Sequence, residues 1–422
     1  MSAAPQEHAV AGPAPLAGVR VLDLSKILAG PYVVQALSDM GADVVKVEHP
    51  RGGDPTRSWG PPFNGEHATY NLAINRNKQS LTLDLARPDA QEVVHRLLEE
   101  ADVVVDNFRP GSSLARIFDG RELVERYPRL VALHISAYGE VGPLKDEPGY
   151  DMVVQASAGI MSLTGDPDGP PVKAGFAVGD LGAAMWGLTG VLAALIERGR
   201  TGRGQYVSTS LYESQLAFHA GFATGYFATG QNPPRLGSGH PSLVPYQAYA
   251  AADGHLVVAV GNDVQWRALC DALGRADLRE DPAYATNAQR VDRRDAVNRE
   301  LANSLALNSV AHWTTLLREH AVPVAPVRTL GEVYASPQTT ALGMIDTVQH
   351  PELGQLQQIG FPVSFNGERP RLRTAPPTLG QHSREVLRHL GLDDESICSL
   401  LEDAGAAAPG ERVNVPGEAL TP

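Results

Sequence analysis

The chain has 422 residues, room for two or three domains of ordinary size and for a sizeable hydrophobic core. Its 35 Lys and Arg against 48 Asp and Glu give a formal net charge of −13, which leaves no basic surplus for a phosphate backbone or an anionic bilayer and argues against nucleic acid as a partner. Two cysteines exclude a disulfide framework and a Cys-based metal centre, a usage that fits a reducing, cytoplasmic setting.

Residues 1–14 lack the basic start and apolar centre of a signal peptide and, being rich in Ala and Pro, read as a disordered leader. Gly18–Leu24 (GVRVLDL) alternates apolar residues as a strand does, Gly30–Met40 carries a helical period that stops at Gly41, and Asp43–Glu48 (DVVKVE) alternates again. Strand, helix and strand in that order make a right-handed parallel βαβ unit. The grammar repeats in Ser80–Asp84, the helical Asp89–Glu100, Val103–Val105, the helical Glu122–Tyr127 and Leu130–Ser136, so the expected class is α/β with a doubly wound, mostly parallel sheet. Met152–Leu163 and Leu181–Arg198 read as helices flanking the turn-rich Thr164–Gly179, and Gln205–Ser210 as a further strand. The charge-free Leu181–Ile196 falls short of the roughly 20 residues of a bilayer span, so no membrane association is expected.

After the loop Gly230–Pro245 the grammar changes. Pro245–Ala252 and His255–Val260 form a hairpin about Asp253-Gly254, followed by amphipathic helices over Asp263–Leu273, Arg290–Leu307 and Ser309–Glu319. This predicts a smaller α+β domain inserted over residues 230–334. Val322–Thr329 (VPVAPVRT) reads as an extended return linker, and Gly354–Ser364 with a helix over Ser383–Leu390 is expected to rejoin the first sheet. The large domain would then comprise residues 15–229 and 335–402, and residues 403–422 a disordered tail.

The turn after the first strand, Ser25-Lys26-Ile27-Leu28-Ala29-Gly30-Pro31, holds one glycine where a dinucleotide fingerprint needs three, and no His and carboxylate cluster stands at metal-ligand spacing. Cys270, in the amphipathic WRALCDALG, reads as a packed core thiol and Glu48 as a solvated strand end. Asp166 and Asp168 lie in a stiff Pro/Gly turn. Asp180 opens the helix from Leu181, where capping is the plain role and chemistry the alternative.

Ordered stretches along the chain decide between them: PLAGVRVLDLSKILAGPY, GADVVKVEHPRGGDPTR, NRNKQSLTLDL, ADVVVDNFRPG, GYDMVVQASAGIMSLTG, AVGDLGAAMWGLTG, TGRGQYVSTSLYES, GNDVQW and APPTLGQHS. From about Pro15 to Leu401 the sequence resembles the family III CoA-transferases, a group that also contains a racemase branch. The resemblance implies a large Rossmann-like domain built from both ends of the chain, an inserted small domain, and two chains threaded through each other as an interlocked homodimer. It implies a nucleophilic aspartate at the position of Asp180, which attacks an acyl-CoA to form an aspartyl–acyl anhydride and then takes back the CoA thiolate as an aspartyl-CoA thioester. An acceptor carboxylate receives the CoA, and no metal or permanently bound cofactor is called for. On this reading the helix start favours the aspartate anion further.

By motif, the resemblance places the CoA thioester against Leu28 and Ala29, His49, Leu83, Asn107 and Phe108, Arg116 and Tyr150, with Arg51 and Arg87 near enough to supply phosphate contacts. Where oxalate-specific members carry four consecutive glycines over the intermediate, this chain reads Gly237-Ser238-Gly239-His240, a substrate loop whose departure from that pattern argues against oxalate and leaves the acceptor open. Succinyl-CoA as donor and a small dicarboxylic acid as acceptor are suggested by the stretch from His240 to Gln247 (HPSLVPYQ). The racemase branch uses a His directly before the Asp of its GYD-like motif, where this chain has Tyr150; a tyrosine, with a reference pKa near 10, is a poor base at pH 7. A non-catalytic CoA-binding protein is the alternative from another class.

Overall fold

The computed structural model describes residues 12–402, so residues 1–11 of the expected leader and the whole expected tail, 403–422, lie outside the described residues. Six strands form the central sheet: β1 (Arg20–Asp23), β2 (Asp43–Glu48), β3 (Gln79–Thr82), β4 (Val103–Asp106), β5 (Val131–Ser136) and β6 (Tyr206–Ser210). Their spatial order is β3-β2-β1-β4-β5-β6, and every neighbouring pair is parallel. This is the doubly wound order, in which the chain leaves β1 in opposite directions to build the two halves.

Val, Leu and Ile on both faces of these strands fill two cores. On one face α1 (Ala29–Asp39) and a long helix (Val178–Thr201) pack over Val21, Val105, Leu133 and Ile135. On the other, the helices Pro88–Glu100 and Ser383–His389 cover Leu22, Val47, Leu81 and Val104. The long helix is apolar and long enough to cross a membrane by length and composition. Its small face, Gly182, Ala183, Ala184, Gly187, Val191 and Ala194, is buried, as in the core helix of a folded domain. Its C-cap is Gly202 at φ +75°, and a Cβ on the nearby Gly204 would strike the Leu130 carbonyl, so Gly202-Arg203-Gly204 is the tight turn that returns the chain to β6.

The chain divides into two compact units. One takes the residues up to Ala158, Gly175–Ala220 and those from Thr340 on; the other takes Gly159–Ala174 and Gly221–Thr339. The second unit holds an antiparallel sheet of β7 (Tyr246–Ala251), β8 (Gly254–Ala259) and β9 (Val324–Pro326), with β8 in the middle. Its core gathers Leu256, Val258, Trp266, Leu269, Cys270, Val297, Leu301 and Trp313, and burial pushes the Cys270 thiol up to about 12, as a core cysteine requires.

Several expected boundaries move. The helix expected over Met152–Leu163 is two, Asp151–Ser157 and Ile160–Leu163, because Gly159 turns left-handed at φ +86°. The turn that follows joins the second unit through Arg235, whose guanidinium donates to the carbonyls of Asp166, Pro167 and Gly169. The helix expected over Arg290–Leu307 breaks at Arg293. Val322–Thr329 is no plain linker, since β9 within it pairs with β8. Gly354–Ile359 does not rejoin the central sheet but pairs with Ile345–His350 in a separate hairpin.

Glu48, expected at a solvated strand end, is buried. Arg57 binds it through Nε and Nη2 at 2.7 Å each, and Ser80 Oγ donates to it at 2.7 Å. Arg57→Ala would leave that carboxylate buried without its bonded countercharge, with only the more distant Lys46 acting on it, so we expect a loss of roughly 3 kcal/mol in urea unfolding. A midpoint within the scatter of wild type would show that water reaches Glu48.

Candidate active site

In a doubly wound sheet the strand order reverses between β1 and β4, and the loops leaving their carboxyl ends part to form a crevice. Here the two sides are tied together. Asn107, just past β4, accepts the Lys26 amide at Oδ1 and donates Nδ2 to the Lys26 carbonyl, both at 2.8 Å. Asp54 accepts the amide of Ile27 at 3.1 Å. Between these clamps Ile27 sits at φ +73°, a conformation that strains a β-branched residue by about 1–3 kcal/mol. Leu28 and Ala29 follow at the buried start of α1, and Phe108 is buried on the other side.

The remaining carried-over positions line the same carboxyl edge. His49 follows β2; its Nδ1 accepts the Arg51 amide at 3.0 Å and its Nε2 lies 3.8 Å from Asp84. Arg51 is exposed. Leu83 follows β3 and is buried. Arg87 reaches Asp89 at 2.6 Å and the Ser399 carbonyl at 3.3 Å. Arg116 lines a polar cavity of about 280 Å³ with Asp106, Arg121, His134 and Tyr206.

Asp180 does not cap its helix. The helix begins at Val178, its N-cap Ala177 offers no side-chain acceptor, and Asp180 stands third in the first turn. The cap comes from elsewhere. Asp151, the first residue of the helix Asp151–Ser157, accepts the amides of Gly179 at 2.7 Å and Asp180 at 3.4 Å through Oδ1. A Cβ on Gly179 would lie 2.4 Å from Gln215 Nε2 and 3.0 Å from that Asp151 oxygen, which explains why glycine precedes Asp180. Tyr150, at the N-cap of the Asp151 helix, is exposed.

The expectation that the helix start would lower the pKa of Asp180 is reversed: burial and, after it, the nearby Asp151 charge raise it to about 7. Two amides of the helix start, those of Gly179 and Asp180, are already spent on Asp151. Burial, Asp180 and Asp151 likewise push the Tyr70 phenol up to about 12, so a neutral hydroxyl stands in the same field, with Trp59 edge-on at 5.5 Å. Asp151 went unread in the sequence because an acid in the first turn of a helix is ordinary; its place right after Gly149-Tyr150 is the only signal. Asp166 and Asp168 lie in the other unit, in the turn held by Arg235.

The loop Gly237–His240, in the second unit, is itself ordered. Gly237 N donates to the Gly165 carbonyl at 2.9 Å, Ser238 Oγ accepts the Ala248 amide at 3.0 Å, and His240 Nδ1 accepts that of Ser242 at 3.0 Å. Among the described residues no group of three or more His, Cys, Asp or Glu is gathered to hold a metal ion.

A carboxylate poised near neutrality on a rigid helix, beside the crevice edge of a doubly wound sheet, is suited to nucleophilic attack without a separate base. The sequence matches CoA-transferase family III over residues 16–383. It is 38% identical over 382 residues to a succinate–glutarate CoA-transferase of Agrobacterium fabrum, covering 89% of this chain and 96% of that one. To the human succinyl-CoA:glutarate CoA-transferase it is 35% identical over 388 residues, covering 92% and 89%. A CAIB/BAIF family protein from Brucella suis, solved by crystallography, aligns with a TM-score of 0.80 and 37% identity over 90% of this chain and all of that one. The chain therefore belongs to CoA-transferase family III and is an enzyme that moves CoA from a thioester to a carboxylic acid.

Proposed function

We propose that this enzyme transfers CoA from succinyl-CoA to a small dicarboxylic acid, with Asp180 as the nucleophile. The observation that carries the mechanism is the setting of Asp180, fixed in the first turn of a buried helix with its pKa raised to about 7. The names of its relatives, which pair succinate or succinyl-CoA with glutarate, support the choice of acids. The Asp180 carboxylate attacks the thioester carbonyl, forming an aspartyl–acyl anhydride and releasing the CoA thiolate. The thiolate attacks the aspartyl carbonyl, giving an aspartyl-CoA thioester and freeing the first acid; the acceptor carboxylate then receives CoA through the reverse of these steps. Burial raises the free energy of the Asp180 anion in the resting site, which favours its conversion to a neutral acyl derivative. Asp151 holds the helix start and so the aim of the nucleophile.

CoA lies along the carboxyl edge on this reading, against Leu28, Ala29, His49, Leu83, Asn107, Phe108, Arg116 and Tyr150, with Arg51 or Arg87 on a phosphate. Glu48 is no rival for that place, being locked to Arg57. Gly237–His240 is the substrate loop on the same reading. The enzyme works in the cytoplasm as an interlocked homodimer, and the exposed apolar stripe Met185, Trp186 and Ile196 on the long helix supplies a face for the second copy.

Asp180→Asn should abolish transfer by roughly a thousandfold or more while CoA affinity and thermal midpoint stay near wild type. Wild type treated with acyl-CoA and hydroxylamine should carry a tag on Asp180, with Asp166 and Asp168 as internal controls. Substantial turnover by the mutant, or a tag on either control, overturns the mechanism; scrambling at C2 without CoA transfer assigns the chain to the racemase branch.

The pH profile follows from the raised pKa. Attack needs the anion, so kcat/KM for acyl-CoA should be level above about pH 7 and fall about tenfold per unit below it. Asp151→Asn keeps an acceptor for Gly179 and removes the charge, so its acid limb should move to lower pH; an unmoved limb excludes Asp151 as a cause of the shift. For the assembly, differently tagged dimers mixed under native conditions should not exchange subunits, and rapid mixing would exclude interlocking.

A further inference from the structure

His134 and Asp106 form a pair that no step of the transfer uses. They face each other in register on the adjacent strands β5 and β4, and His134 Nδ1 donates to Asp106 Oδ1 at 2.7 Å with both side chains almost buried. The same Asp106 oxygen accepts the amide of Phe108 at 3.1 Å, closing the turn that follows β4. Within that turn Asn107 makes its two bonds to Lys26, on the opposite side of the crevice. A chain of direct contacts thus runs from His134 through Asp106 and the Asn107–Phe108 turn to the strained loop that leads into α1.

We propose that His134 is a positioning residue for CoA: by holding Asp106 it fixes the turn on which Asn107 and Phe108 meet the ligand. This rests on the reading that CoA lies against that turn. A buried carboxylate bonded only to a backbone amide would draw in water or turn away, and the turn would lose its shape. Burial works against a charged ring at His134, but Asp106 more than offsets it, with Glu140 and Asp119 adding to the pull, so the imidazolium persists above its ordinary range. The other charged groups around the same cavity are Arg116, Arg121, Lys145 and Asp146, and Arg121 is itself held by Glu140 at 2.9 Å. As pH rises through the raised pKa the imidazolium loses its charge and the ion pair becomes a hydrogen bond from a neutral imidazole to the Asp106 carboxylate, so the grip on Asp106 weakens but is not lost.

Two variants separate positioning from mere support of the fold. His134→Leu fills the space without a donor, and His134→Gln keeps an N–H without a charge. His134→Leu should raise the Kd for CoA and the KM for acyl-CoA about tenfold, with kcat within about twofold, and His134→Gln should recover most of that loss. Wild-type CoA affinity should decline as pH rises through the His134 titration, while His134→Gln shows no such decline; this arm serves if the leucine variant does not fold. Asn107→Ala is measured alongside. If it weakens CoA and neither His134 variant does, the positioning role fails alone; if it leaves CoA affinity untouched, the placement of CoA on the turn fails and the proposal with it. A lowered melting point or kcat with an unchanged KM also overturns the proposal.

Discussion

Two buried lysines beneath the carboxyl edge of the sheet set the shape of everything above them. Lys46, on β2, lies 3.2 Å from Asp54 and 3.6 Å from Asp23 and donates to the Ser25 carbonyl at 2.7 Å. Lys78 lies 3.2 Å from Asp23 and donates to the Pro31 carbonyl at 2.9 Å. All four side chains are essentially withdrawn from water. Burying charge is unfavourable unless every partner is present, so such a set forms complete or not at all. Of its carbonyl acceptors, Ser25 belongs to the loop between β1 and α1 and Pro31 to the first turn of α1, and Asp54 also holds the Ile27 amide. Folding of the strand ends and shaping of the crevice are therefore one event.

A second arrangement places the carboxylate of Asp180. Its helix owes its position to a small-residue face pressed against α1, β5 and β6, and its first turn to an acid on another helix. Gly179 lets Gln215 and Asp151 close in on the backbone just before Asp180. The capping carboxylate and that of Asp180 thereby share a field, and the Asp151 charge adds to burial in raising the pKa of Asp180.

The sheet was legible because its strands are apolar and short and its connections are helices with an apolar period; β2 has the limits its alternation gives. Asp180 stood out through motif resemblance rather than periodicity, which offered only a cap. Where reading failed, the cause was long-range pairing. Glu48 looks solvated until Arg57 and Ser80 arrive from other elements, and β9 looks like linker until β8 offers its edge. Asp151 is marked locally only by its place after Gly149-Tyr150 and His134 by nothing, since each bonds a residue 28 positions away.

The strained segment at Ile27 bears on the thermodynamics of ligand capture. A mobile phosphate loop loses its freedom when the ligand arrives, and that loss is subtracted from the affinity. Here the freedom is given up earlier, during folding, through Asn107 and Asp54. The loop is thus ordered before any ligand arrives, and the entropy of that ordering belongs to the stability of the protein.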